Sequence, residues 1–400
     1  MSNVKISGLP VEKFDEVADV TEKVFGDSFM RDFASKDDVF NYDNVRILQE
    51  DNRIISVVMI TPRQMYIDSI VFDMGGIGGV SSLPESRGKG YAGMVMKDSI
   101  KRMNEIACDI SLLYPFKEAY YAKFGYRTLH FPYKVLHKKD LNLRFPENVL
   151  FRKFEKKDFD SICKIYNEFN ENRTGTIKRD LKYWELKSIG LDTLKGEIYV
   201  AEVNGDVKAY VIASEMKADW GEEKFQYKII EVGAYFNNIE LISPLFHFAA
   251  AERLRGQFDR IFYDDIDGVE IENGMELSDD DKKYYANLKD VKMLSIPHHE
   301  SFMNKMTILF NKRLKAAGYT LNSWQELFSI SFSSKDQLNF MTNIKYKDEE
   351  LNIDEGCFLD CVFGNLRFYI REFDISDDFK KILNIIFPKI KPVFWDFDFL

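Results

Sequence analysis

The first 150 residues alternate between helix-like and strand-like patterns of apolar side chains. In chain order the patterns predict a helix at 11–25, strands at 45–50, 53–60 and 70–84, a helix at 87–107, a strand at 109–114 and a short helix before Gly125. Asp51-Asn52, a turn-forming pair, joins the first two strands into a hairpin. This order predicts a mixed α/β sheet flanked by helices.

A similar order of patterns begins again at Phe151. It comprises a helix at 151–169, strands at 197–203 and 207–215, a strand at 227–236, a helix at 240–255 and a strand at 260–265. Asn204-Gly205 is a strong hairpin signal between two of these strands. The repetition predicts a second copy of the first fold. Asn237-Asn238-Ile239 stands where the first copy has a glycine-rich turn, so we expect only the first copy to keep an anion site.

The remaining residues predict a third α/β unit. The polar residues 270–290 suit a linker or a surface segment, helices are predicted at 301–319 and 377–387, and short strands lie between these helices. The chain ends in Phe394-Trp395-Asp396-Phe397-Asp398-Phe399-Leu400. Because aromatic residues are not left in water, we expect this tail to be buried, either in the core of the third unit or elsewhere. The predicted division is 1–150, 151–290 and 291–400.

Composition and charge narrow the classes of function. A chain of 400 residues is too long for one core, and its net charge of −10 (55 basic and 65 acidic residues) argues against a nucleic-acid binder while permitting a cationic substrate. The four cysteines are too few and scattered for a disulfide framework, and neither they nor the five histidines have a metal-binding spacing. The sequence has no apolar stretch long enough to span a bilayer. We therefore expect a cytoplasmic protein with no metal, nucleic-acid or membrane partner.

The sharpest motif lies between a predicted strand and a predicted helix, at residues 84–92. Gly88 and Gly90 allow a tight turn that presents backbone N–H groups to an anion at the helix N-terminus, where the helix dipole adds positive charge. Arg87 and Lys89 supply further cationic partners. The motif is neither a P-loop nor a GxGxxG fingerprint. An ordinary glycine-rich turn is the alternative.

A second motif follows the next strand as Tyr121-x-Lys123-x-Gly125-Tyr126. Together with Arg87-x-x-Gly90-x-Ala92, it resembles the two signature segments of GNAT acetyltransferases. The resemblance implies that the first segment holds the pyrophosphate of acetyl-CoA and that the tyrosine of the second protonates the departing thiolate. Each motif is weak alone, but both occur here in the expected order on matching elements.

The whole chain resembles the Eis (enhanced intracellular survival) family of GNAT N-acetyltransferases. Residues 78–82, which precede the loop, look like that family's cofactor-binding strand. The resemblance implies tandem GNAT folds followed by a domain similar to sterol carrier protein, and assembly as a hexamer. It also implies transfer of an acetyl group to an amine of a small polyamine or an aminoglycoside.

The resemblance also implies the site residues. Tyr121 would be the general acid, the carboxylate of Leu400 the base, and Tyr126 a structural residue. Phe116 and Lys117 take the place of a Ser-Glu pair found in some members. The implied acetyl-CoA contacts are Val80, Ser81, Ser82, Arg87, Gly88, Lys89, Gly90, Tyr91, Ala92, Gly93, Phe116 and Lys117.

Two other functions remain open at this stage. One is a protein lysine acetyltransferase with the same chemistry, and the other is a non-enzymatic module that binds a lipid or a partner through the C-terminal domain. Packing is the alternative role for Tyr121. The acidic pair Asp264-Asp265 is either solvated surface or an attractor of cations.

Overall fold

The structure, a computed structural model, describes residues 3–26, 30–31, 34, 40–129, 133–184, 197–217, 225–255, 258–286, 291–319, 328–336 and 339–395. The strands are β1 Val4–Gly8, β2 Val45–Glu50, β3 Arg53–Ile67, β4 Ile70–Ser82, β5 Ile110–Leu113, β6 Arg127–Leu129, β7 Tyr133–His137, β8 Leu150–Lys153, β9 Glu197–Val203, β10 Asp206–Lys217, β11 Phe225–Ala234, β12 Arg260–Asp264, β13 Met275–Glu276, β14 Lys292–Ser295, β15 Phe328–Asp336, β16 Asn339–Tyr346 and β17 Glu349–Asp354. The described helices are α1 Phe14–Phe25, α2 Tyr91–Glu105, α3 Glu118–Tyr121, α4 Phe159–Asn170, α5 Ile242–Arg253, α6 Asp279–Ala286, α7 His299–Ala316, α8 Glu355–Val362 and α9 Asp377–Ile386. Among these, no helix is long and apolar enough to cross a membrane.

The chain forms two compact units, each assembled from separate stretches of sequence. The first contains residues 1–64, 71–129 and 291–389, and the second contains residues 65–70, 130–290 and 390–400. The sheet of the first unit has the strand order β1-β2-β3-β4-β5-β14-β6. Most of its neighbouring strands run antiparallel, whereas β4 and β5 pair in parallel.

Helix α2 packs on this sheet through one apolar face. Its buried residues Val95, Met96, Ser99 and Met103 recur at helical spacing. Gly75 of β4 lies beneath the helix, since a side chain there would come within 2.5 Å of the Met103 sulfur. The helix is therefore held close to β4, with its N-terminus at the end of that strand.

The first unit also contains the antiparallel sheet β15-β16-β17 and helices α7 to α9. Phenylalanine rings fill the space between these helices: Phe358 lies 6.3 Å from Phe302 and 5.6 Å from Phe387, ring centre to ring centre. Lys305 of α7 donates to Asp109 at 2.6 Å and to Asp73 at 2.7 Å, which ties this helix to the interior strands β4 and β5 of the larger sheet. The predicted likeness to sterol carrier protein stays a prediction.

The second unit has a sheet of the same size, in the order β13-β7-β12-β11-β10-β9-β8. Strands β11 and β12 pair in parallel, as β4 and β5 do in the first unit. Between β11 and α5 lies a 3₁₀ segment, Phe236–Leu241, in place of a glycine-rich loop. The mixed α/β fold class is therefore present, as is the predicted order of elements in a second copy, with one correction. Residues 150–153, which include the predicted start of the first helix, pair with β9 as strand β8, and the helix begins only at Phe159.

Local turn signals were confirmed, and a segment expected to be a linker or a surface segment contributes a strand to the second sheet. Both hairpins form, with positive φ at their turn residues Asp51, Asn52, Asn204 and Gly205. Residues 270–290 are more than a linker, because β13 joins the second sheet and Asp281 is buried and paired with Arg260 at 2.7 Å. The division at residues 150 and 290 stays a prediction. The compact units depart from it because β7 lies in the second sheet and β14 in the first.

Candidate active site

The candidate site begins where β4 and β5 part. The two strands pair from Met74 opposite Ile110 to Ile77 opposite Leu113, where β5 ends. Strand β4 continues to Ser82, so the β5-facing edge of residues 78–82 is left without a strand partner. Gly79 has a φ of +59°, and a side chain added at Gly78 would meet no atom within 4 Å. An extended ligand could therefore bond to this backbone edge.

Two serines are packed at the end of this edge. Ser56 of β3 donates to the carbonyl oxygen of Ser81 at 2.8 Å, and its hydroxyl lies 2.8 Å from that of Ser82. Ser81 is 3% exposed, and its own hydroxyl has no hydrogen-bond partner in the described part of the chain. A buried polar atom without a partner is costly, so a ligand that bonds to it is favoured. Val80 packs partly buried against the core of this unit.

The glycine-rich loop joins β4 to the N-terminus of α2. Gly88 and Gly90 have φ values of +81° and +80°, which favour glycine, and Gly90 caps the helix without a side-chain hydrogen bond. The first N–H groups of a helix have no partner within it and are available to an anion. Arg87 is exposed on this loop, and Lys89 lies 3.7 Å from Glu50.

Tyr91 and Gly93 lie in the first turn of α2. The Tyr91 hydroxyl donates to Glu50 at 2.7 Å, which secures this turn to the end of β2. A side chain at Gly93 would lie 3.4 Å from the ring of Phe124, and Ala92 beside it is half-buried. Phe124 belongs to the second motif, so the two predicted motifs pack against each other at the start of this helix.

Tyr121 lies in a cluster of aromatic rings. It is 2% exposed, and its ring centre is 5.0 Å from that of Tyr120, 5.3 Å from Phe116 and 6.2 Å from Tyr126. Burial, with smaller contributions from Tyr120 and Tyr126, raises the pKa of Tyr121 well above its usual value near 10. Its hydroxyl is consequently protonated at neutral pH, as a proton donor must be.

The neighbours of Tyr121 differ in their surroundings. The Tyr126 hydroxyl lies 2.6 Å from that of Ser111 within the core, and burial raises the pKa of Tyr126 to about 12. The Tyr120 hydroxyl is buried with no partner among the described residues. Phe116 is 66% exposed, and Lys117 precedes α3 on the surface. Tyr126 thus has the contacts of a structural residue, whereas Phe116 is open to a ligand.

The structure brings together most of the predicted site residues and omits one. Val80, Ser81 and Ser82, residues 87–93, Phe116, Lys117 and Tyr121 all belong to the first unit. Leu400 lies outside the described residues, so its predicted role as the base is untested.

Sequence reasoning missed two features of the site. Ser56 and Glu50 support the cofactor strand and the loop from neighbouring strands, and only a knowledge of the strand pairing could have indicated them.

The described residues contain no group of three or more His, Cys, Asp or Glu side chains arranged to hold a metal ion.

Comparison with known proteins identifies this region. Residues 5–129 match the family model of the acetyltransferase (GNAT) domain. This part of the chain is therefore a GNAT acetyltransferase domain, which confirms the prediction made from its two motifs. No curated protein sequence matches the chain.

Solved structures similar to this chain share its fold over nearly the whole length. A GCN5-related N-acetyltransferase from Anabaena variabilis is 16% identical, with 98% of each chain covered and a TM-score of 0.65. A probable N-acyltransferase from Enterococcus faecalis is 14% identical, with 98% of each chain covered and a TM-score of 0.63. Eis1 from Mycobacterium abscessus is 12% identical, with a TM-score of 0.59, and the match covers 98% of this chain and 99% of that one. At these identities the likeness establishes the fold alone.

Proposed function

We propose that this protein transfers the acetyl group of acetyl-CoA to an amine of a small polycationic acceptor. The observation that carries the proposal is the unpaired edge of β4 at residues 78–82, which leads directly into the Gly88–Gly90 turn at the N-terminus of α2. A backbone edge suits an amide-containing arm, and a helix N-terminus suits a pyrophosphate. The two occur here in the order in which coenzyme A presents these groups.

The residues at this edge fit the coenzyme. The backbone of Val80, Ser81 and Ser82 would bond to the pantetheine amides, and the partnerless Ser81 hydroxyl would gain a hydrogen bond. The N–H groups of residues 88–93 would receive the pyrophosphate, with Arg87 as a further cationic partner. The exposed Phe116 and Lys117 stand in the place of a Ser-Glu pair and would contact the coenzyme from the second motif.

The proposed reaction proceeds in one step, without an acyl-enzyme. Acetyl-CoA supplies the acetyl group as a thioester: the amine nitrogen forms a bond to its carbonyl carbon, and the carbon–sulfur bond breaks. Tyr121 donates its proton to the departing sulfur, and a base takes the proton that the amine loses. Burial raises the pKa of Tyr121, so the hydroxyl carries at neutral pH the proton that a donor must have.

We propose the carboxylate of Leu400 as the base, on the strength of the resemblance to the Eis family. Its reference pKa, about 3.3–3.7, makes it a weak base unless burial raises that pKa, and it could instead orient the ammonium group. Residues 391–395 are held in the second unit, and Leu400 lies outside the described residues, so the resemblance alone carries this role.

A polycationic acceptor such as an aminoglycoside or a polyamine follows from the same resemblance and agrees with the net charge of −10. The pair Asp264-Asp265 is a poor candidate for attracting it, because Lys228 lies 3.8 Å from Asp264 and Lys134 lies 3.2 Å from Asp265. The Phe302–Phe358–Phe387 packing argues against a lipid cavity among the described residues of the C-terminal part. Assembly as a hexamer remains a proposal based on the resemblance, and a cytoplasmic location remains a proposal based on the sequence.

A thiol-release assay tests the proposal. The wild-type protein, Tyr121→Phe and Tyr199→Phe are each given acetyl-CoA with aminoglycosides, polyamines or lysine peptides as acceptors. Tyr199 is a matched control, because it is a fully buried tyrosine of the second unit whose pKa is also raised by burial. We expect turnover on a polycation that falls sharply in Tyr121→Phe and persists in Tyr199→Phe.

Each other outcome has a definite meaning. Turnover on lysine peptides alone would favour the protein acetyltransferase. Binding of acetyl-CoA without turnover on any acceptor would contradict the acceptor class and leave the coenzyme site standing. Failure to bind acetyl-CoA would refute the proposal.

A further inference from the structure

Tyr120, the residue before the proposed general acid, has a buried hydroxyl group with no hydrogen-bond partner in the described part of the chain. A buried hydroxyl without a partner destabilises the folded protein, because the bonds that it made to water in the unfolded chain are not replaced. Burial raises the pKa of Tyr120 to about 12, so the hydroxyl is protonated at neutral pH and can donate a hydrogen bond. Such a group requires an explanation, and binding of a ligand supplies one.

The rings around Tyr120 place it between the two ends of the proposed coenzyme site. Its ring centre lies 5.0 Å from that of Tyr121, 5.1 Å from that of Phe116 and 5.3 Å from that of Phe124. The Phe124 ring in turn packs against the first turn of α2, where a Cβ added at Gly93 would lie 3.4 Å from it. Tyr120 is therefore next to the residue that would protonate the coenzyme's sulfur, and it reaches the turn that would hold the pyrophosphate only through Phe124.

A ligand can reach the buried hydroxyl if one of the neighbouring rings moves. Tyr121 is 2% exposed and Phe124 is 6% exposed, so core packing holds both of these rings in place. Phe116 is 66% exposed, and exposed side chains change rotamer on the picosecond-to-nanosecond timescale. Phe116 is therefore the neighbour that an incoming coenzyme can displace at the lowest cost.

We propose that the Tyr120 hydroxyl binds the coenzyme by donating a hydrogen bond to an amide carbonyl oxygen of the pantetheine arm. This arm joins the sulfur of coenzyme A to its pyrophosphate, and Tyr120 lies between the residues that would hold these two groups. The amide carbonyl accepts the hydrogen bond that the hydroxyl otherwise lacks, so binding removes the cost of the unpaired group. The inference deepens the proposed function and rests on it.

Binding measurements on two variants of the full chain test the inference. Tyr120→Phe removes the hydroxyl and keeps the ring. Tyr263→Phe is the matched control, because Tyr263 of the second unit is also buried and its hydroxyl likewise has no partner among the residues that the structure describes. Isothermal titration of each protein uses acetyl-CoA, S-acetylpantetheine, which lacks the pyrophosphate, and adenosine 3′-phosphate 5′-diphosphate, which lacks the pantetheine arm. The thermal unfolding midpoint of each protein is measured without ligand.

In Tyr120→Phe we expect the Kd for acetyl-CoA and for S-acetylpantetheine to rise by about 5- to 30-fold, because the bound amide carbonyl loses its partner. The Kd for adenosine 3′-phosphate 5′-diphosphate should not change. The unfolding midpoint of ligand-free Tyr120→Phe should rise by about 2–4 °C, since an unpaired buried hydroxyl is removed. Tyr263→Phe should show a similar rise and bind all three ligands as the wild-type protein does. A substitution that stabilises the free protein and weakens binding identifies a binding group rather than a structural one.

The results separate failure of this inference from failure of the proposed function. If the wild-type protein binds acetyl-CoA and Tyr120→Phe binds it equally well, the inference is overturned and the proposed function stands. A lower unfolding midpoint in Tyr120→Phe would show that the hydroxyl is bonded within the protein, and a loss of affinity for the diphosphate ligand would show that its partner is a phosphate. Either result would overturn the inference alone. Failure of the wild-type protein to bind acetyl-CoA would overturn both.

Discussion

Replacing Gly90 by alanine isolates the contribution of the loop backbone to binding of acetyl-CoA. A Cβ at this position meets no atom within 4 Å, so the substitution introduces no clash, and its cost comes from the φ of +80°. An L-residue in this left-handed region costs about 1–2 kcal/mol. If the loop keeps its conformation, this cost appears as lost stability. If the loop relaxes, binding must restore the strained conformation, and affinity for acetyl-CoA falls by about 5- to 30-fold.

Gly205→Ala is the matched control for this change. Gly205 has a φ of +88°, also meets no atom within 4 Å of an added Cβ, and lies in the turn between β9 and β10 of the second unit. Its replacement should cost similar stability, with a fall in the unfolding midpoint of about 2–8 °C. It should not change the affinity for acetyl-CoA.

Isothermal titration with acetyl-CoA and with S-acetylpantetheine provides the assay. Because acetylpantetheine lacks the pyrophosphate, its affinity should be the same for Gly90→Ala and the wild-type protein. If Gly90→Ala kept the wild-type stability, which would show that the loop had relaxed, and still bound acetyl-CoA as tightly as Gly205→Ala, the loop backbone would not be the pyrophosphate site. An equal loss of affinity for both ligands would also refute the reasoning.

Three further predictions follow from the same geometry. Tyr121→Phe should lower kcat by about 10²- to 10⁴-fold with unchanged affinity for acetyl-CoA, which steady-state kinetics and binding measurements check. Tyr126→Phe removes the hydrogen bond to Ser111 and should mainly lower the free energy of unfolding, by about 1–3 kcal/mol, which urea unfolding measures. Burial raises the pKa of Tyr126 to about 12, so the contribution of Tyr126 to the free energy of unfolding should be constant below pH 10. This contribution should fall as the pH rises from 10 to 12, because the unfolded chain releases the proton first. Urea unfolding across this range should therefore show a smaller fall in the free energy of unfolding for Tyr126→Phe than for the wild-type protein. Calorimetry should give one acetyl-CoA per chain, because the second unit has the 3₁₀ segment Phe236–Leu241 in place of the glycine-rich loop, and a stoichiometry of two would contradict this reasoning.

Local features of the candidate site could be predicted from sequence because each depends on neighbouring residues. Gly88 and Gly90 adopt the positive φ that a tight turn before a helix requires, and Asn204-Gly205 forms its hairpin. The two motifs also lie in one unit, as two consecutive strand–helix segments of a sheet should. In these cases the residue types and their spacing determine the local backbone conformation directly.

Long-range pairing could not be predicted in the same way. Strands β7 at 133–137 and β14 at 292–295 are both short, and nothing in their composition indicates which sheet each completes. The burial of the aromatic tail was expected from its composition and is confirmed for Val393 to Trp395, yet the core that receives it is that of the second unit rather than the third. Which sheet a strand joins, and which core buries the tail, depends on the surfaces that form as the chain folds. The order of apolar and polar residues along the sequence does not contain this information.

The position of β14 in the first sheet has a consequence for how the protein folds during synthesis. Strand β14 lies between β5 and β6, so the first sheet cannot be completed until residues 292–295 have been synthesised, more than 160 positions after β6. Such distant pairings slow folding and leave strand edges open to aggregation in the meantime. The segment 5–129 that matches the GNAT family model therefore lacks β14, the strand that joins β5 to β6 in its own sheet. Fragments that end at residue 129 should be insoluble when they are produced. A soluble catalytic fragment would need β14 supplied in the same polypeptide or as a separate peptide.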